Sequence, residues 1–327
     1  MREYILEFSR ESFLAVSNIL LSFSNLLPEF RVIVRRENLA VVRADLSSIK
    51  EMAFLNYASE VLTTFEDLDE LSDTLLPYGT FHVRVTHYLS EKKISESALG
   101  SVLQGKRSIS FKNPDFIVRA VYIDKWYLGI LKFQRDRKFE NRRRAPLRPF
   151  FSPITLPPKY ARFLVNLSQT RSGDRVLDPF CGTGGILIEA ALMGRKVTGV
   201  DVSLRMVSGS RLNLKYYNLS GTVLRGNIIG FEFEEKFDAI ITDPPYGRSS
   251  PNPIYSVDEL YSLMFPKFFS LLRDSGYISM ITPDMELVER YSASLFDVVS
   301  VTSFRQHRSL TRYFVSLRKR KVQGKLL

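Results

Sequence analysis

Residues 237–247 contain a predicted β-strand that ends abruptly at a pair of prolines. Phe237–Thr242 is an apolar run of the kind that fills a buried parallel strand, and Asp243-Pro244-Pro245-Tyr246-Gly247 follows it at once. Proline has no N–H and fixes its own φ, so the strand cannot continue through this pair and a rigid loop must begin. The carbonyl oxygens of Asp243 and Pro244 are then left as unpaired acceptors beside an aromatic ring.

Acceptors beside an aromatic face suit a flat ring that carries an exocyclic amino group. We predict that Tyr246 stacks on such a ring while the Asp243 side chain, its backbone oxygen and the Pro244 carbonyl hold the amino protons. Pro245 keeps the loop rigid. This arrangement leaves the lone pair of the amino nitrogen directed at an electrophile bound opposite. It makes Asp243, Pro244, Pro245 and Tyr246 the candidate catalytic residues.

A second strand end, upstream, carries a glycine loop. Arg175–Pro179 is a short apolar strand that contains Asp178, and Phe180-Cys181-Gly182-Thr183-Gly184-Gly185 separates it from a helical run, Ile186–Met193. Glycines at such a junction let the backbone approach a ligand closely, and the helix N-terminus offers free N–H groups. The spacing is not G-x-G-x-x-G and no G-K-[ST] follows, which disfavours a pyrophosphate or nucleoside triphosphate site.

The next strand, Lys196–Val200, ends in Asp201, where a carboxylate can accept from ribose hydroxyls. Together with the proline loop, these features resemble the S-adenosylmethionine-dependent amino-methyltransferases, which carry D-P-x-C-G-[ST]-G and [DN]-P-P-[YF] motifs. Many relatives place an Asp after the third strand to accept from adenine, and here Asn227 stands in that position. The resemblance implies S-adenosylmethionine as cofactor, held by these residues: Asp178, Phe180, Cys181, Gly182, Thr183, Gly184, Asp201, Val202, Asn227, Ile228 and Asp243.

The net charge favours a polyanionic partner. The chain of 327 residues has 46 Lys and Arg against 35 Asp and Glu, a formal charge of +11, and nucleic acid is the commonest partner for such a chain. Its single cysteine cannot form an internal disulfide, and one cysteine with three histidines cannot supply a four-ligand zinc site. No run of eighteen apolar residues is present, which argues against a membrane span. We therefore expect a metal-free, cytoplasmic protein.

The two halves of the chain differ in pattern. From about residue 175 strands and helices alternate, as is typical of a doubly wound α/β sheet with ligands at the carboxyl ends of its strands. The first half is α+β without a catalytic constellation. Between them, residues 132–148 contain eight basic and two acidic side chains, and the basic ones include Arg142, Arg143 and Arg144. We predict that these three arginines bind an RNA backbone; a solvated linker and salt bridges between the halves are the alternatives.

The whole chain resembles the THUMP-domain tRNA guanosine-10 N2-methyltransferase family, archaeal type. The strings that carry the likeness are Asn113-Pro114-Asp115, Arg148-Pro149-Phe150-Phe151, Asp178–Gly185, Asp243–Gly247 and His307-Arg308-Ser309-Leu310-Thr311-Arg312. The resemblance implies a Rossmann-like methyltransferase sheet preceded by an α+β ferredoxin-like region and a THUMP domain. The implied division is a ferredoxin-like region at 1–46, a THUMP domain at 47–136, a basic, proline-rich linker at 137–156 and the methyltransferase domain at 157–327.

This resemblance implies transfer of one or two methyl groups to the 2-amino group of a tRNA guanosine. Its partners would be tRNA and, as a point the sequence leaves open, a small zinc-binding activator subunit. Arg248, just past the proline loop, could meet a phosphate beside a target nucleotide that has been rotated out of its stack. Three alternatives stay open: another tRNA guanosine such as position 6, an N6-adenine or N4-cytosine DNA methyltransferase, and a tRNA-binding factor without activity.

Overall fold

A computed structural model of the chain describes residues 1–87, 89–105, 108–153, 155–246, 254–307 and 310–321. The chain divides into two compact units. The first comprises Met1–Val16 and Leu27–Asp136, and the second comprises Ser17–Leu26 and Arg137–Leu327. Helix α1 (Phe13–Leu26) therefore contributes residues to both units.

The first unit has an α+β fold with one mixed sheet, and the sequence predicts this fold class for the first half of the chain. Its remaining elements are β1 (Arg2–Phe8), β2 (Arg31–Arg36), β3 (Leu39–Ala44), α2 (Leu46–Ile49), β4 (Leu55–Phe65), β5 (Phe81–Thr86), α3 (Glu96–Gln104), β6 (Phe116–Tyr122) and β7 (Trp126–Gln134). Within the described residues the strand order is β2-β3-β1-β4-β7-β6-β5, and only the β5–β6 pair is parallel. The predicted boundary at residue 46 falls between β3 and β4 of this one sheet, so the division into a ferredoxin-like region and a THUMP domain stays a prediction.

The second unit alternates strands and helices. Its elements are α4 (Arg137–Arg142), α5 (Pro158–Leu167), β8 (Arg175–Asp178), α6 (Gly185–Leu192), β9 (Lys196–Asp201), α7 (Leu204–Tyr216), β10 (Thr222–Arg225), β11 (Phe237–Thr242), α8 (Val257–Leu271), β12 (Leu272–Thr282), α9 (Met285–Ser292), β13 (Phe296–His307) and β14 (Leu310–Lys319). Side-chain oxygens of Ser203, Ser256 and Asp284 accept from free N–H groups at the starts of α7, α8 and α9, which fixes where these helices begin. In the described residues no helix is both long and apolar enough to span a bilayer.

The sheet of the second unit confirms the predicted doubly wound fold. In the described residues its strand order is β10-β9-β8-β11-β12-β14-β13. The five strands β8 to β12 pair in parallel, whereas β14 is antiparallel to both β12 and β13. The chain builds outward from β8 to β10 on one side and then returns to place β11 on the other side of β8. The order of the strands thus reverses between β8 and β11, and such a reversal opens a crevice at the carboxyl ends of the two strands.

Helix α8 holds β11 in place from one face of the sheet. Tyr261, Met264, Phe265 and Phe268 recur at helical spacing, are fully buried, and belong to one core cluster with strand residues of β11 and β12. Burying each such side chain contributes about 1.5–3 kcal/mol. The loop that follows β11 therefore starts from a fixed strand end.

Candidate active site

The two motifs meet at the reversal of strand order. Strands β8 and β11 are parallel neighbours, so Asp178 at the end of β8 and Asp243 just after β11 lie at the same edge of the sheet. A hydrogen bond joins the strand ends directly, because Thr242 Oγ1 donates to Asp178 Oδ1 at 3.0 Å. Asp178 is buried, and burial raises its pKa to about 7 against the opposing hydrogen bonds from Thr242 and the Phe180 N–H. Asp178 thus ties the glycine loop to the proline loop.

Asp243 brings a buried, unsatisfied acceptor to this edge. The residue is partly exposed, but its Oδ1 is buried and has no hydrogen-bond partner among the described residues. Burial raises the pKa of Asp243 to about 6, and the charge of Arg312 and the nearby Tyr246 hydroxyl oppose the rise. That hydroxyl influences the carboxylate without satisfying it, since it too lacks a partner of hydrogen-bonding geometry in the described part of the chain. A buried acceptor in this state indicates a place for a ligand donor.

The rest of the proline loop is divided between core and surface. Pro244 is buried, Pro245 is exposed, and the Tyr246 ring is partly exposed. Burial, followed by the charge of Asp243, raises the pKa of Tyr246, so its hydroxyl stays protonated and can donate. The Tyr246 ring and the Asp243 carboxylate thus belong to one short loop, and stacking of a base on Tyr246 stays a prediction. Arg248 lies outside the described residues.

The glycine loop has the shape of a ligand cradle. Gly182 (φ +48°) and Gly184 (φ +79°) both adopt left-handed backbone, and the second caps the N-terminus of α6. A Cβ at Gly184 would lie 2.4 Å from Ser210 Oγ, so packing on α7 requires glycine there. A Cβ at Gly182 would meet no described atom within 4 Å, so this face of the loop is open. The open face and the orphaned Asp243 Oδ1 fit a cofactor bound across the loop.

Phe180 and Cys181 attach the glycine loop to the hydrophobic core. Cys181 is buried, its N–H donates to the Val200 carbonyl at 3.0 Å, and burial raises the pKa of its thiol. A Cβ at Gly199 would lie 2.9 Å from the Cys181 sulfur, so glycine on β9 makes room for it. Phe180 packs against the core cluster beneath α8. Cys181 is accordingly a packing residue of the loop.

Asp201 closes the side of the cradle at the end of β9. Its carboxylate accepts from the N–H groups of Gly182 (2.9 Å) and Ser203 (2.8 Å), one at each oxygen. Each carboxylate oxygen keeps a further lone pair for a hydroxyl donor. Burial raises the pKa of Asp201, while these two hydrogen bonds favour the ionised form. Val202, the next residue, is half exposed beside it.

Asn227 is more engaged than the sequence suggests. Its side-chain oxygen accepts from the Ile229 N–H at 3.1 Å, and its amide donates to the Tyr255 hydroxyl at 3.0 Å. Ile228 is buried in the core rather than open to the crevice. An adenine contact by Asn227 would have to share the oxygen that already caps this turn, and it stays a prediction.

The side chain of Asn213 links the segment before α5 to the glycine loop, and sequence reasoning did not identify this residue. The buried amide of Asn213 on α7 donates to the carbonyls of Phe150 (2.8 Å) and Thr183 (2.9 Å), and its oxygen accepts from the Phe150 N–H (3.0 Å). A Cβ at Gly209 would lie only 2.0 Å from the Phe150 ring, so this ring packs directly on the α7 backbone. Thr183 and Thr155 face each other at 3.1 Å. Segment 148–151 is thereby fixed to the glycine loop.

The triple-arginine prediction needs a correction. Arg143 is 3% exposed, and its guanidinium is paired with Glu189 on α6, with Nε to Oε1 at 2.6 Å and Nη2 to Oε2 at 3.3 Å. Arg162 on α5 contacts the same carboxylate at 3.1 Å. Arg143 is therefore unavailable to a phosphate, and its salt bridge lies within the second unit rather than between the halves. Arg142 and Arg144, on either side of it, are exposed.

Arg312 is a second residue that the motifs did not assign. It lies on β14, and its guanidinium carbon is 5.7 Å from the centroid of the Tyr246 ring. Its charge also acts on Asp243. The signal was present in the string 307–312, but nothing in a sequence shows that the last hairpin reaches the proline loop. Arg308 and Ser309 of that string lie outside the described residues.

A doubly wound sheet with a glycine loop after its first strand and an Asp-Pro-Pro-Tyr loop after its fourth defines a methyltransferase. In agreement, a family profile described as "RMKL-like, methyltransferase domain" matches residues 145–313. The chain is 35% identical to the tRNA (guanine(10)-N2)-dimethyltransferase of Methanothermobacter thermautotrophicus over 80% of this chain and 82% of the relative. It is 39% identical to the Pyrococcus abyssi protein of the same name, over 72% of this chain and 73% of that one. The chain belongs to the tRNA (guanine(10)-N2)-dimethyltransferase family, as its motifs predict.

Two solved structures share the fold. TrmN from Thermus thermophilus superposes with a TM-score of 0.58 at 21% identity, over 97% of this chain and 100% of that chain. A possible methylase from Clostridium difficile 630 gives a TM-score of 0.52 at 17% identity, over 98% of each chain. At these identities the likeness concerns the fold.

Proposed function

We propose that this protein transfers methyl groups from S-adenosylmethionine to the exocyclic 2-amino group of guanosine 10 in tRNA. The observation that carries the proposal is the buried, unpartnered Oδ1 of Asp243 beside the Tyr246 ring, at the sheet edge where the glycine loop opens. That geometry fits an aromatic amine, and membership of the family supplies guanosine 10 of tRNA as the target.

The residues of the crevice have separate tasks. Gly182, Thr183 and Asp201 would hold the cofactor, which when bound supplies an electrophilic methyl group. A guanine base has to leave its stack to reach the crevice. Asp243 and the Pro244 carbonyl then accept from the amino N–H groups, and Tyr246 supports the ring, so the nitrogen lone pair is held in one direction. Alignment of this kind provides most of the rate in a transfer without a covalent enzyme intermediate.

Nucleoside mapping tests the proposal. The purified chain is incubated with S-adenosylmethionine and a tRNA transcript, and the fragments are analysed by mass spectrometry. We expect N2-methylated or N2,N2-dimethylated guanosine at position 10, and none in a matched transcript with inosine there, because inosine lacks the amino group. Methylation at position 6, or methylation of DNA, would identify one of the alternatives. Activity of the chain by itself would remove the need for a zinc-binding activator subunit.

Asp201→Ala should weaken the binding of S-adenosylmethionine about tenfold or more. Hydrogen bonds to a charged acceptor contribute ~1.5–3 kcal/mol each, and each 1.4 kcal/mol is a factor of about ten in Kd. Titration calorimetry measures the change. Asp201→Asn is a companion variant that keeps the shape and one acceptor, but its NH2 would face one of the two N–H groups that the carboxylate now accepts from, so it should also lose affinity. An unchanged Kd for the alanine variant would refute the ribose contact.

The pH dependence of kcat/KM should reflect the ionisation of the Asp243 carboxyl. Its pKa is raised to about 6, so the carboxyl is protonated below that pH and loses its best acceptor form. We expect kcat/KM to be level above pH about 7 and to fall about tenfold per pH unit well below 6. Asp178, with a pKa of about 7, could produce a similar limb. Arg312→Met distinguishes them, because loss of that charge should move only an Asp243 limb to higher pH.

The exposed pair Arg142 and Arg144 should contribute to tRNA binding through the phosphate backbone. Replacing both with Ala should weaken binding to any tRNA sequence and reduce the slope of log K against log salt by up to about 0.7–0.9 per lost contact. Affinity at several salt concentrations gives the slope. Lys196→Ala with Lys215→Ala is a control, since Lys196 begins β9 at the edge opposite the crevice and both side chains are exposed. Equal slopes for the two double variants would remove this surface from the RNA interface.

A further inference from the structure

The proline loop recognises an amino group without identifying the base that carries it. Adenine, cytosine and guanine all present an exocyclic amino group, and the acceptors Asp243 and Pro244 would suit each of them. Guanine and cytosine also carry a carbonyl on the same ring edge as the amino group, O6 in guanine and O2 in cytosine, whereas adenine has none. A site that selects guanine over adenine therefore needs a donor placed to meet O6.

Arg312 stands where such a donor is needed. Strand β14 is antiparallel to β12, and the pairing of Tyr313 with Thr282 puts the first residues of β14 at the carboxyl end of β12. This is the edge of the sheet that carries the proline loop. The Arg312 guanidinium lies 5.7 Å from the Tyr246 ring centroid. A base supported by Tyr246 would lie within reach of it.

The donors of Arg312 are incompletely used. Its Nε is buried and has no hydrogen-bond partner among the described residues, although the group is always charged and has five N–H donors. A buried donor without a partner is costly, as is the buried Asp243 Oδ1 beside the same ring. One unpartnered acceptor and one unpartnered donor thus lie near Tyr246. The acceptor suits an amino group, and the donor suits a carbonyl.

We propose that Arg312 selects guanine over adenine by donating a hydrogen bond to O6 of the base whose 2-amino group Asp243 holds. This inference rests on the proposed function. An adenine held through its 6-amino group would offer no carbonyl to the guanidinium, and the buried Nε would stay unpaired. Sites built around a polar group discriminate strongly for this reason. The last hairpin would then read the base, while the loop after β11 positions its amino group.

Two base analogues and one variant test the assignment. The tRNA is assembled by ligation with guanosine or 2-aminopurine at the target position; 2-aminopurine keeps the 2-amino group and lacks O6. We expect wild-type enzyme to methylate 2-aminopurine with a kcat/KM about ten- to hundredfold lower. In Arg312→Met this penalty should shrink by up to about tenfold, because the variant gains nothing from O6. Part of the penalty remains in both enzymes, since 2-aminopurine also lacks the N1 proton.

Controls separate a base contact from mere support of the loop. Arg318→Met removes an exposed arginine of the same strand and should leave both rates unchanged. Thermal melts and S-adenosylmethionine titration establish that Arg312→Met is folded, and Arg312→Lys provides a second, charge-retaining variant. An unchanged penalty in Arg312→Met, with both rates lowered together, would mean that Arg312 only supports Tyr246. Equal rates on the two bases in wild-type enzyme would overturn the proposal without any variant. A wild-type enzyme that leaves guanosine N2 unmethylated would instead refute the proposed function.

Discussion

Asp243→Ala should reduce methyl transfer by at least about 10²–10³-fold, a loss of the size seen when one preorganised catalytic hydrogen-bonding group is removed. The affinity for tRNA should stay nearly the same, because a single loop contact is small beside an interface with many phosphates. Incorporation of a radiolabelled methyl group in single-turnover reactions measures the first quantity, and filter binding at fixed salt measures the second. Survival of near wild-type transfer would exclude Asp243 from the reaction.

Asp243→Asn is the informative companion to the alanine variant. The family pattern [DN]-P-P-[YF] admits an amide oxygen in this position, so Asn should retain part of the activity if the main task is to orient the amino group. Its activity should also lose the low-pH limb expected for the wild type, because an amide does not titrate. Equal losses for Asn and Ala would show that the negative charge itself is required, which favours Asp243 as the proton acceptor.

Much of the methyltransferase unit could be predicted because its signals are local. The predicted strands 175–179, 196–201 and 237–242 correspond to β8, β9 and β11, since each is a short apolar run bounded by turn residues or an acid. The two motifs were placed together correctly because parallel strands have their carboxyl ends on one edge. The predicted sheet therefore implied that the two motifs lie at one edge, as well as the fold.

The long-range partners could not be predicted. Asn213 is an ordinary helical position in the sequence, and its role depends on a carbonyl of Thr183 that lies 30 residues away in the chain. Arg312 reaches Tyr246 only because the last two strands join the sheet beside β12. The three consecutive arginines are identical residues, yet the middle one is buried and its two neighbours are exposed. The charge of the segment does not indicate this difference. Burial of a single side chain within a polar run is set by tertiary packing.

The ion pair of Arg143 and Glu189 offers the largest expected effect on stability. The two side chains are 4% and 1% exposed, and Arg143 also donates to the Phe139 carbonyl at 3.0 Å. Glu189→Ala would leave the Arg143 guanidinium buried without its charged partner. Breaking a buried pair in this way costs about 3–5 kcal/mol. That is a large fraction of the ~5–15 kcal/mol by which a protein of ordinary stability is folded.

Glu189→Ala should therefore lower the melting temperature by roughly 6–20 °C, using about 2–4 °C per kcal/mol for a unit of this size. Calorimetric melts with and without S-adenosylmethionine measure the shift. Glu189→Leu combined with Arg143→Met is the matched control, because it removes both charges and should recover most of the loss. Glu286→Ala, which breaks an exposed pair with Arg290, should change the melt little. A melt of Glu189→Ala that equals the wild type would contradict the buried pair.

The same variants decide what the basic segment does. Arg143 anchors the backbone from which Arg142 and Arg144 extend, so a protein that has lost the Glu189 pair should hold those two exposed arginines less firmly. If the anchor matters only for folding, the double variant Glu189→Leu/Arg143→Met should bind tRNA with the wild-type salt slope. If Arg143 itself contacted phosphate, the slope of log K against log salt would be smaller in that variant than in the wild type by about 0.7–0.9, the value for one phosphate contact. An unchanged slope with a recovered melt is the result we expect, because a guanidinium that is 4% exposed and paired with a carboxylate is not accessible to RNA.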